Sequence, residues 1–113
     1  MIDSYSFGKV VVAGRTYTSD VIVYPDRVRE GWWRREGHSL CLEDLKEVLE
    51  WRPDVLVVGT GAYGAMKVPE SVVEAIESLG IRFVAKPTRE AVEEFNRLLK
   101  SGVKAAAALH LTC

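Results

Sequence analysis

Amide side chains are almost absent from this chain of 113 residues, because Asn96 is the only asparagine and glutamine does not occur. Glutamate, arginine, lysine and valine are plentiful instead. Proteins that work at high temperature avoid thermolabile amides and carry more charged residues that can form ion-pair networks. The composition therefore predicts a thermophilic source.

We expect the chain to unfold at a midpoint above about 80 °C, because charged groups cost less to desolvate at high temperature and the predicted loops are short. Scanning calorimetry measures this midpoint directly. Unfolding near about 55 °C, the range of mesophilic domains, would contradict the thermophilic interpretation.

Cysteine, net charge and long apolar runs are also scarce. The two cysteines, Cys41 and Cys113, have no C-x-x-C spacing, and no charged-then-apolar leader opens the chain. These features predict a cytoplasmic protein with reduced thiols. Fifteen Lys and Arg against sixteen Asp and Glu leave a formal charge of −1, so we expect neither nucleic acid nor a membrane as partner.

Length and composition predict a single domain over residues 1–113, with 48% hydrophobic and 27% charged residues. The chain is too short for a two-halved dinucleotide fold or a barrel of about 250 residues. Short β-branched runs from Tyr5 to Val23 predict antiparallel strands, with a hairpin at Ala13-Gly14. Alternation from Arg27 to Trp33 predicts a further strand, in which Val28 and Trp32 share one face.

The remainder alternates between helical and strand patterns. Apolar spacing predicts helices over residues 40–51 with Ser39 as N-cap, over Pro69–Leu79, and over Arg89–Lys100 with Thr88 as N-cap. A continuous apolar run predicts a strand buried on both faces at Asp54–Val58. Further strands are predicted at Ile81–Ala85 and Val103–Leu109, and all three are expected to be central in the sheet. This order predicts a largely parallel sheet with helices on its faces, which the opening strands either extend or cover.

The segment from Gly59 to Gly64 matches G-x-G-x-x-G directly after a predicted strand, a pattern with which dinucleotide-binding proteins hold a pyrophosphate. Two features argue against a dinucleotide site here. Pro69 places the start of the next helix several residues after the last glycine, and Lys86 occupies the position where a ribose-binding acidic residue is expected. A plain glycine turn is the favoured interpretation. The alternative is a small anion or carboxylate held by the backbone N–H groups.

That alternative predicts a ligand site at the carboxyl edge of the sheet, where parallel strands open into crevices. The ligand-binding candidates are Gly59, Thr60, Gly61, Lys86 and Thr88, joined by Arg35 and His38. Their N–H, hydroxyl and charged groups suit phosphate, sulfate or carboxylate. Otherwise Thr88 only caps its helix and Lys86 faces solvent.

Cations and aromatic rings alternate between Arg27 and His38, a composition that single-stranded nucleic-acid binders share. Acidic neighbours remove much of this charge, and cations packed on rings are the simpler interpretation. The functional interpretation we prefer is a protein-partner surface formed by Trp32, Trp33 and Arg34, because tryptophan and arginine dominate interface hot spots.

Catalytic and metal-binding patterns are weak. Among the histidines and cysteines, only His38 and Cys41 have ligand spacing, and one pair does not make a metal site. Tyr63 and Lys67 have the spacing of a proton-transfer pair but lie in a predicted loop. We predict no catalytic residues, metal or cofactor. The predicted function is a non-catalytic protein-binding or assembly-type module. The alternative is a protein that binds a small anion or carboxylate, with or without enzymatic activity. The sequence leaves open whether the chain forms a homo-oligomer.

Four stretches together carry a family resemblance: Trp32-Trp33 with Arg34 or Arg35 and Gly37-His38, Pro53 before the strand ending Gly59-Thr60-Gly61, Thr88–Ala91 with Phe95, Asn96 and Leu98, and an alanine-rich segment over Val103–Leu109. Over essentially the whole chain, this order resembles the adipogenesis-associated Mth-type domain family, which includes mitochondrial complex I assembly factors. The resemblance implies a three-layer α/β domain with a mixed, mostly parallel central sheet and an additional N-terminal β-hairpin layer.

The resemblance implies no established activity. Members of the family are treated as binding or assembly proteins, and a cleft near the Gly-Thr-Gly turn is regarded as a ligand site. This chain departs from the mitochondrial members because no presequence precedes its first strand, so the implied complex I role is not expected to extend to it.

Overall fold

The computed structural model describes residues 1–113 as eight strands and three helices. The strands are β1 (Ile2–Ser6), β2 (Lys9–Val12), β3 (Arg15–Tyr17), β4 (Val21–Val23), β5 (Val28–Glu30), β6 (Val55–Thr60), β7 (Arg82–Lys86) and β8 (Ala105–His110). The helices are α1 (Lys46–Trp51), α2 (Glu70–Glu77) and α3 (Thr88–Lys100). None of these helices has the length or apolar character needed to cross a membrane.

The main sheet has five strands in the order β5-β4-β8-β6-β7. Strand β6 pairs in parallel with both β7 and β8, whereas β4 pairs antiparallel with β8 and β5. Every residue of β6 and β8 is buried, as expected for strands covered by helices on both faces. All three predicted strands are confirmed, but only β6 and β8 are central. Strand β7 lies at the edge of the sheet and none of its residues is fully buried, so its predicted central position is wrong. The sheet is mixed, with two parallel and two antiparallel pairings.

A second sheet of three strands, β1-β2-β3, comes from the N-terminal segment. Its predicted hairpin is confirmed, because Val10 pairs with Tyr17 and Val12 with Arg15 across the Ala13-Gly14 turn. Both turn residues have positive φ angles, 49° and 81°, which is the geometry of the tight hairpin turn that suits twisted strands. The opening strands thus do both things expected of them: three form their own layer, and two extend the main sheet.

Two apolar clusters pack on opposite faces of the main sheet and define three layers. On one face, Phe95 of α3 and residues of the small sheet such as Val10 cover Val57. On the other face, Val48 and Ile76 from α1 and α2 cover Leu56. Since α2 and α3 lie on opposite faces, the loops that follow β6 and β7 leave the sheet in opposite directions.

Two predicted helix starts are wrong. Leu42–Leu45 form a 3-10 turn before α1, and its N-cap is Cys41 rather than Ser39, because the Asp44 carboxylate accepts the Cys41 N–H at 2.8 Å. Helix α3 begins at Thr88 itself and has Pro87 at its N-cap. The Thr88 hydroxyl is engaged with other backbone groups and makes no cap.

The predicted strand from Arg27 to Trp33 ends at Glu30. Gly31 follows with a positive φ of 65°, so the two-residue alternation of a strand stops there. Val28 packs against the α3 side of the sheet, whereas Trp32 is buried on the side of α1 and α2. The prediction that these two residues share a face is therefore wrong.

Candidate functional site

Three buried polar side chains meet at the carboxyl end of β8. His110 is the last residue of β8, and Asp20 immediately precedes β4, the antiparallel neighbour of β8. Arg34 reaches the same point from the irregular segment after β5. The Asp20 Oδ2 atom lies 2.8 Å from His110 Nδ1 and 2.7 Å from Arg34 Nη1, so one carboxylate oxygen joins both partners.

Little solvent reaches this cluster, because the side chains of Arg34 and His110 are only 6% and 8% exposed. Burial by itself would raise the pKa of the Asp20 carboxyl. Hydrogen bonds from His110, from the Leu111 N–H and from Arg34 outweigh that effect and hold its pKa below the ordinary value. Asp20 is therefore ionised and forms a buried ion pair with Arg34.

Two contacts meet at one nitrogen of the His110 ring. His110 Nδ1 lies 2.8 Å from Asp20 Oδ2 and 3.0 Å from Arg34 Nη2. A carboxylate only accepts and a guanidinium only donates, so Nδ1 can bond only one of them at a time. The other ring nitrogen, Nε2, is buried and has no hydrogen-bond partner. Arg34 Nε is likewise buried without a partner. Buried polar atoms are nearly always paired, which makes this cluster the most unusual polar site of the fold.

The glycine turn after β6 packs directly against the same strand end. The Gly61 N–H donates to the Thr88 hydroxyl at 2.9 Å, and that hydroxyl donates to the His110 carbonyl at 2.6 Å. The Thr88 N–H donates in turn to the Gly61 carbonyl at 3.0 Å. The loops after β6 and β7 leave the sheet in opposite directions, which normally opens a crevice between the two strand ends. Here protein groups fill that crevice.

The structure brings together some of the predicted ligand residues but not all of them. Gly59, Gly61 and Thr88 are neighbours, whereas the exposed Lys86 forms a 3.8 Å ion pair with Glu94. Arg35 pairs with Glu43, and the His38 carbonyl accepts the Lys67 N–H. Because the donors near the turn already bond protein groups, an anion would have to displace them, and the anion site stays a prediction.

The three predicted partner-binding residues lie in different environments. Trp32 is buried, donates through Nε1 to the Asp44 carbonyl at 2.8 Å, and has the Arg34 guanidinium 4.9 Å from its ring centre. Trp33 is 84% exposed. It lines an open cleft of about 710 Å³ between its own segment and α1. Only Trp33 can therefore contact another molecule directly, while Trp32 and Arg34 anchor it.

The remaining candidates form no assembled chemistry of their own. No group of three or more His, Cys, Asp or Glu side chains is placed to hold a metal ion. Cys41 is half-buried and Cys113 is exposed, and both are free thiols.

Asp20 and His110 are the residues of this cluster that the sequence analysis did not place in any site. One signal was available: Asp20 directly precedes the apolar run Val21-Ile22-Val23, and His110 ends the last apolar strand. Polar residues at the ends of apolar strands meet when those strands pair, but the pairing of β4 with β8 spans almost the whole chain and has no local pattern.

The sequence profile of the family described as "Protein of unknown function (DUF498/DUF598)" matches residues 2–110. The chain belongs to this family. Among solved structures, the DUF498/DUF598 chain is similar to the conserved hypothetical protein PH1505 from Pyrococcus horikoshii, with 28% identity and a TM-score of 0.84 over 100% of this chain and 99% of that one. A protein named MT938 is 30% identical, with a TM-score of 0.80 over 100% and 98% of the two chains.

A more distant structure supports the fold. A Bordetella pertussis protein whose solution structure is described as a Mth938-like domain has a TM-score of 0.72 at 18% identity, and the match covers 98% of this chain and 85% of that one. The predicted α/β domain and the Mth-type part of the resemblance are thereby confirmed.

Proposed function

We propose that this DUF498/DUF598 chain is a protein-binding module whose docking surface centres on Trp33. The observation that carries the proposal is the 84% exposure of this indole between Trp32 and Arg34, whose side chains are buried and anchored. Tryptophan supplies large contact area and is the residue type most enriched among interface hot spots. A binding or assembly role of this kind requires no catalytic group.

The segment that carries Trp33 is held in place on both sides. Before it, the Gly31 N–H donates to the Ser19 hydroxyl at 3.1 Å, and the Trp32 indole bonds the Asp44 carbonyl. After it, Arg34 forms the buried pair with Asp20. Since the backbone is fixed before a partner arrives, little conformational freedom remains to be lost on binding.

The cleft beside Trp33 indicates the kind of partner that fits. Its walls combine cations with carboxylates of α1 and the preceding turn, and several of them already pair, as Arg29 does with Glu47 and Arg35 with Glu43. Because the cleft walls carry both positive and negative side chains, they do not favour a polyanionic partner. It suits a protein partner that offers an apolar pocket for the indole and a rim of mixed charge around it.

We expect Trp33→Ala to weaken binding of the native partner at least tenfold, since hot-spot tryptophans contribute about 2 kcal/mol or more. The measurement is quantitative capture from native lysate, followed by calorimetric titration of the purified partner. Tyr63→Ala is the matched control, because Tyr63 is a second aromatic side chain that is 78% exposed.

The outcome that contradicts the proposal is an unchanged partner list and unchanged affinity for Trp33→Ala. Loss of binding in both variants also argues against a surface centred on Trp33. If the captured partner is a second copy of this chain, sedimentation of wild type and Trp33→Ala will show the difference in assembly.

A further inference from the structure

We propose that the free edge of β7 binds an extended acidic peptide segment of another protein, which pairs antiparallel with β7 as an additional strand of the main sheet. Strand β7 ends the sheet order β5-β4-β8-β6-β7, and β6 is its only neighbour. The segment that carries Trp33 follows β5, at the opposite edge of the sheet. This binding site is therefore separate from the Trp33 surface and does not depend on it.

Two residues of β7 point their backbone groups away from the sheet. The Arg82 N–H donates to the Asp54 carbonyl, and alternate residues of a strand face the same neighbour, so Phe83 and Ala85 face outward. No other group of the chain bonds the N–H or C=O of these two residues. Ala85 is exposed, and Phe83 is half-buried. Their backbone donors and acceptors are thus open to an added strand.

The other edge strands of the two sheets are short or covered. Strands β3 and β5 each have three residues. At the start of β1, the Asn96 side chain accepts the Ile2 N–H at 2.9 Å and donates to the Ile2 carbonyl at 2.8 Å. Keeping edges short or covering them is how proteins usually prevent strand addition. No side chain bonds the outward backbone groups of β7 in this way.

The side chains of β7 favour an acidic strand. Val84 packs against the α3 side of the sheet, so Arg82 and Lys86 lie on that same side. Arg82 is exposed and forms no ion pair within the chain. Lys86 lies 3.8 Å from a Glu94 oxygen that also pairs with Arg97. An added strand with the pattern acid-x-apolar-x-acid would place a carboxylate opposite each of the two β7 cations and an apolar side chain opposite Val84.

A second copy of β7 does not satisfy this edge. Two-fold antiparallel pairing that uses the whole strand places Val84 opposite itself and Arg82 opposite Lys86 of the second copy. Like charges directly opposite each other destabilise a strand pair, whereas opposite charges stabilise it. The edge therefore selects an acidic strand against its own copy.

Titration with a synthetic peptide tests the proposal. The probe is Glu-Thr-Val-Thr-Glu with both ends capped, which puts the glutamates and the valine on one face of an extended strand. With the peptide at about ten times its Kd, hydrogen exchange of the Phe83 and Ala85 amides, measured by NMR, should slow about tenfold, because exchange then requires release of the peptide. The amides of β5 should keep their exchange rates.

Two arginines on edge strands provide a matched pair of variants. Arg82→Glu should weaken peptide binding about tenfold, since it replaces a favourable charge pair by an unfavourable one. Arg15→Glu makes the same charge change on the exposed edge strand β3 and should leave the affinity unchanged. Equal weakening by both variants would show that net charge alone attracts the peptide and would overturn the proposal.

A modified peptide tests main-chain pairing without any change to the protein. In antiparallel pairing the two threonines lie opposite Phe83 and Ala85, so methylating both threonine nitrogens removes the donors that β7 accepts and should abolish binding. Unchanged affinity of the methylated peptide, or no protection of the two β7 amides, would overturn the proposal. A dimer of the chain that the peptide dissociates would identify a second copy as the natural occupant and would also overturn it.

The Trp33→Ala variant separates this site from the proposed function. It should bind the peptide with the affinity of the wild type, because Trp33 lies outside β7. Peptide pairing with β7 in the absence of any Trp33-dependent partner supports the edge site and counts against the Trp33 surface. Trp33-dependent partner binding without peptide pairing overturns the edge site alone.

Discussion

Replacing Gly61 by alanine is expected to destabilise the protein by about 3 to 5 kcal/mol, measured by denaturant unfolding. Gly61 has a positive φ of 103°, and a Cβ atom there would lie 2.7 Å from the Thr112 carbonyl oxygen and 3.0 Å from the His110 ring. The backbone conformation and the overlap with a backbone oxygen both oppose the new methyl group. The turn that closes over β8 must therefore shift.

Two other glycines separate these causes. Gly80 has a positive φ of 81° with no atom within 4 Å of its Cβ position, so Gly80→Ala should cost only about 1 kcal/mol. Gly59 lacks the positive φ, but its Cβ would lie 2.8 Å from the Thr88 hydroxyl, so Gly59→Ala measures crowding alone. If Gly61→Ala costs no more than Gly80→Ala, close packing of the turn is not what requires glycine.

We expect Asp20→Asn to lower the free energy of unfolding by about 3 kcal/mol, because it leaves the buried Arg34 charge without its carboxylate. The matched control is Glu30→Gln in the exposed Arg15–Glu30 pair, which should change stability by less than about 1 kcal/mol. Chemical denaturation of both variants at pH 7 gives the comparison. Equal effects would contradict a structural role for the buried pair.

The same carboxylate predicts a dependence of stability on pH. The pKa of Asp20 is lowered in the folded state, so the unfolded chain takes up its proton first as the pH falls. The stabilisation from Asp20 is fully present above the ordinary value of 3.8 and is lost as the pH drops through the lowered folded value. Below pH 4, wild type should therefore lose stability more steeply than Asp20→Asn, and parallel curves would contradict this assignment.

The fold could be predicted wherever one local pattern decided an element. The apolar run ending at Val58 allowed only a strand buried on both faces, and the Ala13-Gly14 pair allowed a tight hairpin. Local sequence patterns gave wrong predictions where a side chain bonds a residue that is distant along the chain. Thr88 has the composition of an N-cap, but its hydroxyl is taken by Gly61 and His110, which tertiary packing brings to it.

The candidate site divides in the same way. The sequence drew attention to Trp33 and to the glycine turn through composition and motif alone. It did not indicate that the side chains of Trp32 and Arg34 are buried, because Gly31 turns the chain and ends the two-residue alternation of the strand. It also did not indicate that Asp20 faces His110, since 90 residues separate them along the chain.

The sequence by itself determined the α/β class, the existence of the parallel strands β6, β7 and β8, and the tight N-terminal hairpin, because hydrophobic period and turn chemistry act over a few neighbouring residues. Only the tertiary structure decided that the glycine turn closes on Thr88 and that Asp20, Arg34 and His110 share one buried site. Those contacts depend on the antiparallel pairing of β4 with β8 and on the path of the segment after Gly31. The strand pairing and the path of this segment are both determined by the burial of apolar side chains on the two faces of the main sheet. That burial involves residues from the whole chain, so no short stretch of sequence indicates it.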